Sequence, residues 1–158
     1  MSIFFYDFDI GKIGIGEKDG RITNLYFTAE GIPQNIKMHE SPILKETYRQ
    51  LNLYFQGRLK KFTVPLNPEG TVFMKQVWAS ICEIPYGTTI SYKDLAINLG
   101  KPNAARAVGH ANSRNPIPIL IPCHRVVGVN GRLTGYSGGI ELKKKLLELE
   151  MAKGYGNF

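Results

Sequence analysis

The sequence predicts a two-part chain: an α/β amino-terminal domain over residues 1–70, built as a small antiparallel sheet plus one helix, followed over residues 71–158 by a mainly helical domain with a helix-turn-helix and a hairpin wing. Three observations carry this. Short aromatic and β-branched runs separated by turn residues occupy the first 27 positions, whereas apolar residues recur at helical spacing after Thr71. Leu66-Asn-Pro-Glu-Gly70 lies between the two patterns with the composition of a linker. The charge also changes there: residues 1–70 hold 9 basic and 8 acidic side chains, and residues 71–158 hold 11 and 5.

Strands are predicted at Ser2 to Tyr6, Gly11 to Gly16 and Arg21 to Phe27, with Lys18-Asp19-Gly20 as a hairpin turn between the second and third. Ser41-Pro42 reads as an N-cap and first helical position. Ile43, Leu44, Tyr48, Leu51 and Phe55 continue a helical stripe to Gly57. Asn52-Leu-Tyr-Phe-Gln-Gly57 has the look of a protease-cleavage tag, but it lies inside this stripe and is read as native chain. Phe62-Thr-Val-Pro65 is expected as a short edge strand.

Beyond the linker, Phe73, Val77, Trp78 and Ile81 make the apolar face of a helix that stops before Pro85, with Cys82 expected as core filler. Ser91-Tyr-Lys-Asp94 opens the next helix in the manner of a capping box, and Gly100 ends it. A helix from about Asn103 to Ser113 follows the Lys101-Pro102 turn, which makes the pair a helix-turn-helix candidate. Val127 to Gly135, centred on Asn130-Gly131, predicts a hairpin or wing. Ile140, Leu142, Leu146 and Leu149 mark a last helix ending near Lys153-Gly154. Lys143-Lys-Lys145 is expected to be a solvated face. Arg106, Arg114, Arg125 and Arg132 are the candidate nucleic-acid cations.

Composition narrows the function classes. At 43% hydrophobic residues the chain can bury a core, yet no apolar run approaches the roughly 20 residues of a membrane helix. The amino terminus carries no basic leader, so a cytoplasmic protein is expected. Cys82 and Cys123 are the only cysteines, and two free thiols suit a reducing compartment better than one disulfide. They and His39, His110 and His124 are scattered without metal-ligand spacing, so neither a metal nor another cofactor is expected. The carboxyl-terminal excess of positive charge fits a polyanion partner as well as it fits simple solubility.

The candidate chemistry lies in Pro122-Cys-His-Arg-Val126, at the end of a rigid apolar run that starts at Asn115. A thiol is a weak nucleophile and a thiolate a strong one, so Cys123 needs a base. His124 supplies it through a bridging water, because adjacent side chains rarely face one another. On spacing alone, a small buried hydrophobe remains the alternative reading of Cys123.

Together with Arg106-Ala-Val-Gly upstream and Tyr136-Ser-Gly-Gly139 downstream, this motif closely resembles the active-site signature of the O6-alkylguanine-DNA alkyltransferases, or methylated-DNA–protein-cysteine methyltransferases. The resemblance is weak over residues 1–70 and strong from about Val77 to Glu150. It implies a ribonuclease-H-like amino-terminal domain before a winged helix-turn-helix domain whose second helix enters the minor groove of double-stranded DNA. It makes Cys123 the acceptor of an alkyl group from O6 of guanine, His124 its base and Glu150 the residue orienting the imidazole, with Glu148 close enough in sequence to exchange with it. Asn115 would brace the turn before the nucleophile. Tyr92 would push the target phosphate and donate a proton to the leaving guanine.

By the same resemblance Arg106 fills the gap left by the flipped base, Tyr136 and Ser137 line the base pocket, and Pro118 and Val126 complete its apolar walls. The implied enzyme acts once per molecule, and a monomer is expected; some relatives carry a zinc site in their amino-terminal part, whose ligands this chain lacks. A non-catalytic protein of the same fold that only recognises alkylated bases is the alternative; relatives of that kind lack the cysteine. A cysteine hydrolase using Cys123, His124 and Glu150 is a third reading, which leaves the basic half unexplained.

Overall fold

A computed structural model describes residues 1–151 of the chain. The chain divides into two compact units, Met1–Glu69 and the residues from Gly70 onward.

In the first unit, β1 (Ser2–Phe8), β2 (Gly11–Lys18), β3 (Arg21–Tyr26) and β4 (Lys37–Met38) form one sheet in the order β3-β2-β1-β4. The first three are antiparallel neighbours; β4, which the sequence did not predict, pairs in parallel with β1 through Ser2 and Ile3. Asp19 (φ 53°) and Gly20 (φ 76°) both occupy the left-handed region, as a tight two-residue hairpin turn requires. Helix α1 (Pro42–Phe55) lays Leu44, Leu51 and Tyr54 into the core with Ile3, Ile13, Ile15 and Ile22. The expected edge strand at residues 62–65 does not form. Pro65 has no N–H to give a ladder, so the chain accepts from Ile22 N at the Pro65 carbonyl (2.9 Å), donates from Asn67 N to the Ile22 carbonyl (2.8 Å), and makes a single bridge at Leu66.

The second unit contains α2 (Val72–Cys82), α3 (Tyr92–Asn98), α4 (Ala105–Ser113) and α5 (Ile140–Glu150), with the two-residue strands β5 (Ile90–Ser91) and β6 (Val126–Val127) paired in parallel. Thr71 Oγ1 caps α2 by accepting from Met74 N (3.1 Å), Ser91 Oγ caps α3 by accepting from Asp94 N (3.0 Å), and Gly100 (φ 73°) follows the end of α3. Trp78 Nε1 donates to the Ala111 carbonyl (2.8 Å) and ties α2 to α4.

Three expectations change here. Cys82 is exposed and is not core filler: the buried face is Val77, Trp78 and Ile81, and residue 82 lies about 100° round the helix from Ile81. Val127 to Gly135 contains no antiparallel pair; Asn130 (φ 58°) and Gly131 (φ 75°) turn the chain in a one-turn 3-10 helix closed by Gly128 N donating to the Arg132 carbonyl (2.7 Å). The buried face of α5 is Lys143, Leu146, Leu147 and Glu150, an i, i+3, i+4, i+7 stripe, while Ile140 is exposed. Lys143 therefore leaves the solvated face on which Lys144 and Lys145 remain. The predicted end of this helix at Lys153-Gly154 lies outside the described residues.

Candidate active site

The segment between α4 and β6 is held from within. Asn115 Nδ2 donates to the Ile121 carbonyl and Asn115 Oδ1 accepts from Ile117 N, both at 2.9 Å, so one buried amide fixes both ends of the turn. Ile119, a β-branched residue, is held at φ 74°, a conformation that costs energy and persists only where its surroundings enforce it. Pro118 is buried and bridges to Ile121. Cys123 N then donates to the Ile121 carbonyl (2.7 Å), and Cys123–Arg125 forms one turn of 3-10 helix.

Cys123 is 4% exposed. Burial pushes its thiol up to about 11, against the opposing effects of the Asn115 side-chain hydrogen bond and the Lys143 charge. His124 and Glu150 are fully buried, with His124 Nε2 2.6 Å from Glu150 Oε2. Burial lowers the imidazole pKa despite that carboxylate, so His124 is neutral at neutral pH and able to take a proton. Burial alone would raise Glu150; the hydrogen bonds and charges of His124 and Arg125 overcome it and hold the carboxyl at about 2. Gly87 N also donates to Glu150 Oε1 (3.1 Å). Glu148 is exposed, which settles which of the two carboxylates meets the imidazole.

Arg125, expected among the DNA cations, is a correction. It is buried, its Nε and one terminal nitrogen donate to Glu150 (2.8 and 3.1 Å), and its other terminal nitrogen donates to the Ile84 carbonyl (2.7 Å). A guanidinium 6% exposed, with each of its three nitrogens turned to a partner inside the protein, does not reach a phosphate at the surface. Arg106, in the first turn of α4, and Arg114 and Arg132 are exposed.

The β5–β6 pairing sets Ile90 opposite Val126 and Ser91 opposite Val127, and so fixes the start of α3, where Tyr92 stands, relative to the strand leaving Cys123-His124-Arg125. Tyr92 is half-buried, and its hydroxyl is hydrogen-bonded to Thr134 Oγ1. Lys143, which the sequence reading missed, donates to the Val126 carbonyl (2.8 Å) and approaches Thr134 Oγ1 (3.4 Å). Burial lowers its pKa, while the Cys123 charge opposes that. Its place in the α5 stripe with Leu146, Leu147 and Glu150 was the available signal. Tyr136 keeps part of its ring exposed but buries its hydroxyl, whose pKa burial and the charges of Cys123 and Glu150 raise well above the ordinary value. Ser137 is exposed, and Val126 is fully buried. Among the described residues no group of three His, Cys, Asp or Glu could hold a metal ion, and no helix is long and apolar enough to cross a membrane.

Two family models match consecutive parts of the chain: the ribonuclease-like domain of 6-O-methylguanine DNA methyltransferase over residues 2–68, and the DNA binding domain of 6-O-methylguanine DNA methyltransferase over residues 72–152. The chain belongs to the 6-O-methylguanine DNA methyltransferase family. It is 45% identical over 148 residues to the constitutive methylated-DNA–protein-cysteine methyltransferase of Bacillus subtilis, covering 89% of this chain and 90% of that one. It is 58% identical over 106 residues to the methylated-DNA–protein-cysteine methyltransferase of Methanosarcina barkeri, 67% of each chain. Among solved structures, that of Mycobacterium tuberculosis OGT in complex with DNA superposes with a TM-score of 0.90 at 42% identity, covering 97% of this chain and 94% of that one. The family architecture, a ribonuclease-like domain before a helical DNA-binding domain, is the one this chain has.

Proposed function

We propose that this protein repairs double-stranded DNA by direct reversal, moving the alkyl group from O6 of a guanine onto Cys123. The observation that carries the reading is the buried line of Cys123, His124 and Glu150, with Arg125 behind it. With Nε2 of His124 turned to Glu150, Nδ1 is the nitrogen that takes the thiol proton through a water, and the carboxylate stabilises the imidazolium that results. Cys123 sulfur then attacks the O6-alkyl carbon: the S–C bond forms, the C–O6 bond breaks, and its electron pair stays on guanine, where proton donation from Tyr92 neutralises it. Lys143 lowers the cost of the thiolate by its charge.

A thioether has no labile bond for water to attack, so each molecule acts once. A thiol this buried meets a base only after the base leaves the duplex stack, at a cost of about a few kcal/mol that falls for a mispaired base. Arg106, exposed at the start of α4, fills the gap left by the flipped base as α4 lies in the minor groove, and Arg114 contacts phosphate. Asn115 braces the turn before the nucleophile. Tyr136, Ser137, Pro118 and Val126 line the base pocket. The protein works as a monomer in the cytoplasm, where its two free cysteines stay reduced.

Mass spectrometry after mixing the protein with excess duplex carrying one O6-methylguanine tests this. One methylene gained on the Cys123 peptide, saturating at one per molecule and absent in Cys123→Ala, is the expected result. No gain with DNA still bound would instead establish a recognition-only protein.

A further inference from the structure

Asn112 is a polar residue at the site that the mechanism above leaves without a task. It is 6% exposed, and its Oδ1 is buried and meets no donor among the described residues. A buried acceptor without a donor is unfavourable, so its retention calls for a reason.

Its position supplies one. On a helix of 100° per residue, Gly109, Asn112 and Asn115 follow one another at three-residue steps on one slowly turning stripe that continues past the end of α4 at Ser113. At the first step, a Cβ placed on Gly109 would lie 3.7 Å from the ring of Tyr92. At the last, the Asn115 side chain donates to the Ile121 carbonyl (2.9 Å), which also accepts from Cys123 N (2.7 Å). Asn112 stands between them, one turn from each, and Asn115 N donates to its carbonyl at 3.4 Å. Asn112 thus stands on α4 between the residue that abuts the tyrosine and the residue that braces the nucleophile's turn, the region where an extruded base must lie for its O6-alkyl carbon to reach sulfur.

We infer that Asn112 is a specificity-determining residue whose Oδ1 accepts a hydrogen bond from the exocyclic 2-amino group of the extruded purine. This rests on the alkyl-transfer reading of the site. The donor inventory of the base decides it: once O6 is alkylated, N1 of guanine carries no proton, and the 2-amino group is the only N–H donor of the ring system. O4-alkylthymine has no N–H donor at all. An unmet acceptor in the pocket thus favours O6-alkylguanine and disfavours the alkylated pyrimidine, because a site built to pair a polar group rejects an analogue that leaves it unpaired.

Single-turnover transfer is measured for duplexes identical except for one O6-methylguanine, O6-methylhypoxanthine, which lacks only the 2-amino group, or O4-methylthymine, with wild type and Asn112→Leu. The protein as it stands should transfer from O6-methylguanine about tenfold faster than from O6-methylhypoxanthine, one hydrogen bond to a buried acceptor being of that order. It should be slower still on O4-methylthymine. In Asn112→Leu the guanine-to-hypoxanthine ratio should collapse towards one. Equal rates on the two purines in wild type would overturn the inference whether or not the variant folds, as would an undiminished ratio in a folded variant, its melting curve serving as the check. Failure of wild type to transfer from any of the three would strike the alkyl-transfer reading instead.

Discussion

In the amino-terminal unit, Thr47 returns its hydroxyl to the Ile43 carbonyl (2.8 Å), and Gln50 both donates to Thr63 Oγ1 (2.8 Å) and accepts from Thr63 N (3.0 Å). These are neutral groups that close local gaps between α1 and the chain that follows it. The charged exception, Glu17, accepts from Gly20 N (3.2 Å) at the end of its hairpin. The second unit buries His124, Arg125, Lys143 and Glu150; Glu150 accepts from Arg125 and meets His124 Nε2, Arg125 donates to the Ile84 carbonyl, and Lys143 donates to the Val126 carbonyl just past the nucleophile's turn. Taking ions out of water is costly unless each is paired and hydrogen-bonded. One unit thus uses polarity to finish a hydrophobic core, and the other bears the cost of buried charge at the turn carrying Cys123, where the proposed transfer calls for a base, its orienting carboxylate and a cation near a thiolate.

The largest difference between the units should follow from Glu150→Gln. It removes the anion between His124 and Arg125 and leaves a buried guanidinium uncompensated, for about 3–5 kcal/mol in urea unfolding and a near-complete loss of transfer. The same residue sets an acid limb. Its folded pKa, about 2, lies below the ordinary 4.5, so its stabilisation is fully present above 4.5 and is lost as pH falls from there towards 2. Unfolding midpoints measured across that window should fall in wild type and change less in Glu150→Gln.

Lys143→Met comes next. It leaves the Val126 carbonyl without its donor, for about 1–3 kcal/mol, and removes a charge that favours the Cys123 thiolate, so the transfer-rate profile should move to higher pH. An unmoved profile would leave Lys143 a purely structural role.

The smallest effect is predicted in the first unit. Tyr6→Phe removes the hydrogen bond from the Tyr6 hydroxyl to Glu40 Oε2 (2.7 Å) but keeps the ring stacked on Tyr48 at 4.3 Å, so it should cost about 1 kcal/mol and leave single-turnover transfer unchanged. A large loss of transfer in that variant would erase the contrast between the units.

The same contrast governs what could be read from the chain alone. Hairpin strands with Asp19-Gly20 between them, and helices bounded by Ser41-Pro42, Thr71 and Gly100, are local devices written in consecutive residues. The grouping of Cys123 with His124, Asn115 and Glu150 came from a multi-part motif, and the structure brings those four together. Arg125 and Lys143 were placed in solvent because a charge has no apolar period, and only the partners contributed by Glu150, Ile84 and Val126 show that they are inside. The α5 stripe is illegible in the sequence for the same reason: two of its four buried positions, Lys143 and Glu150, are ionic. At Phe62-Thr-Val-Pro65, β-forming residues suggested a strand that Pro65 prevents.

The burial of Cys123 has a consequence for the protein's lifetime in a cell. A reagent consumed by a single event must not be consumed by the wrong one. With Cys123 4% exposed and its thiol pushed up to about 11 by burial, little thiolate is present at neutral pH without help, so freely diffusing alkylators and oxidants find little to attack, whereas Cys82 is exposed, although burial raises its thiol too. Iodoacetamide should accordingly label Cys82 well before Cys123. The burial of the sulfur thus acts as a safety catch on a reagent that the proposed transfer spends once.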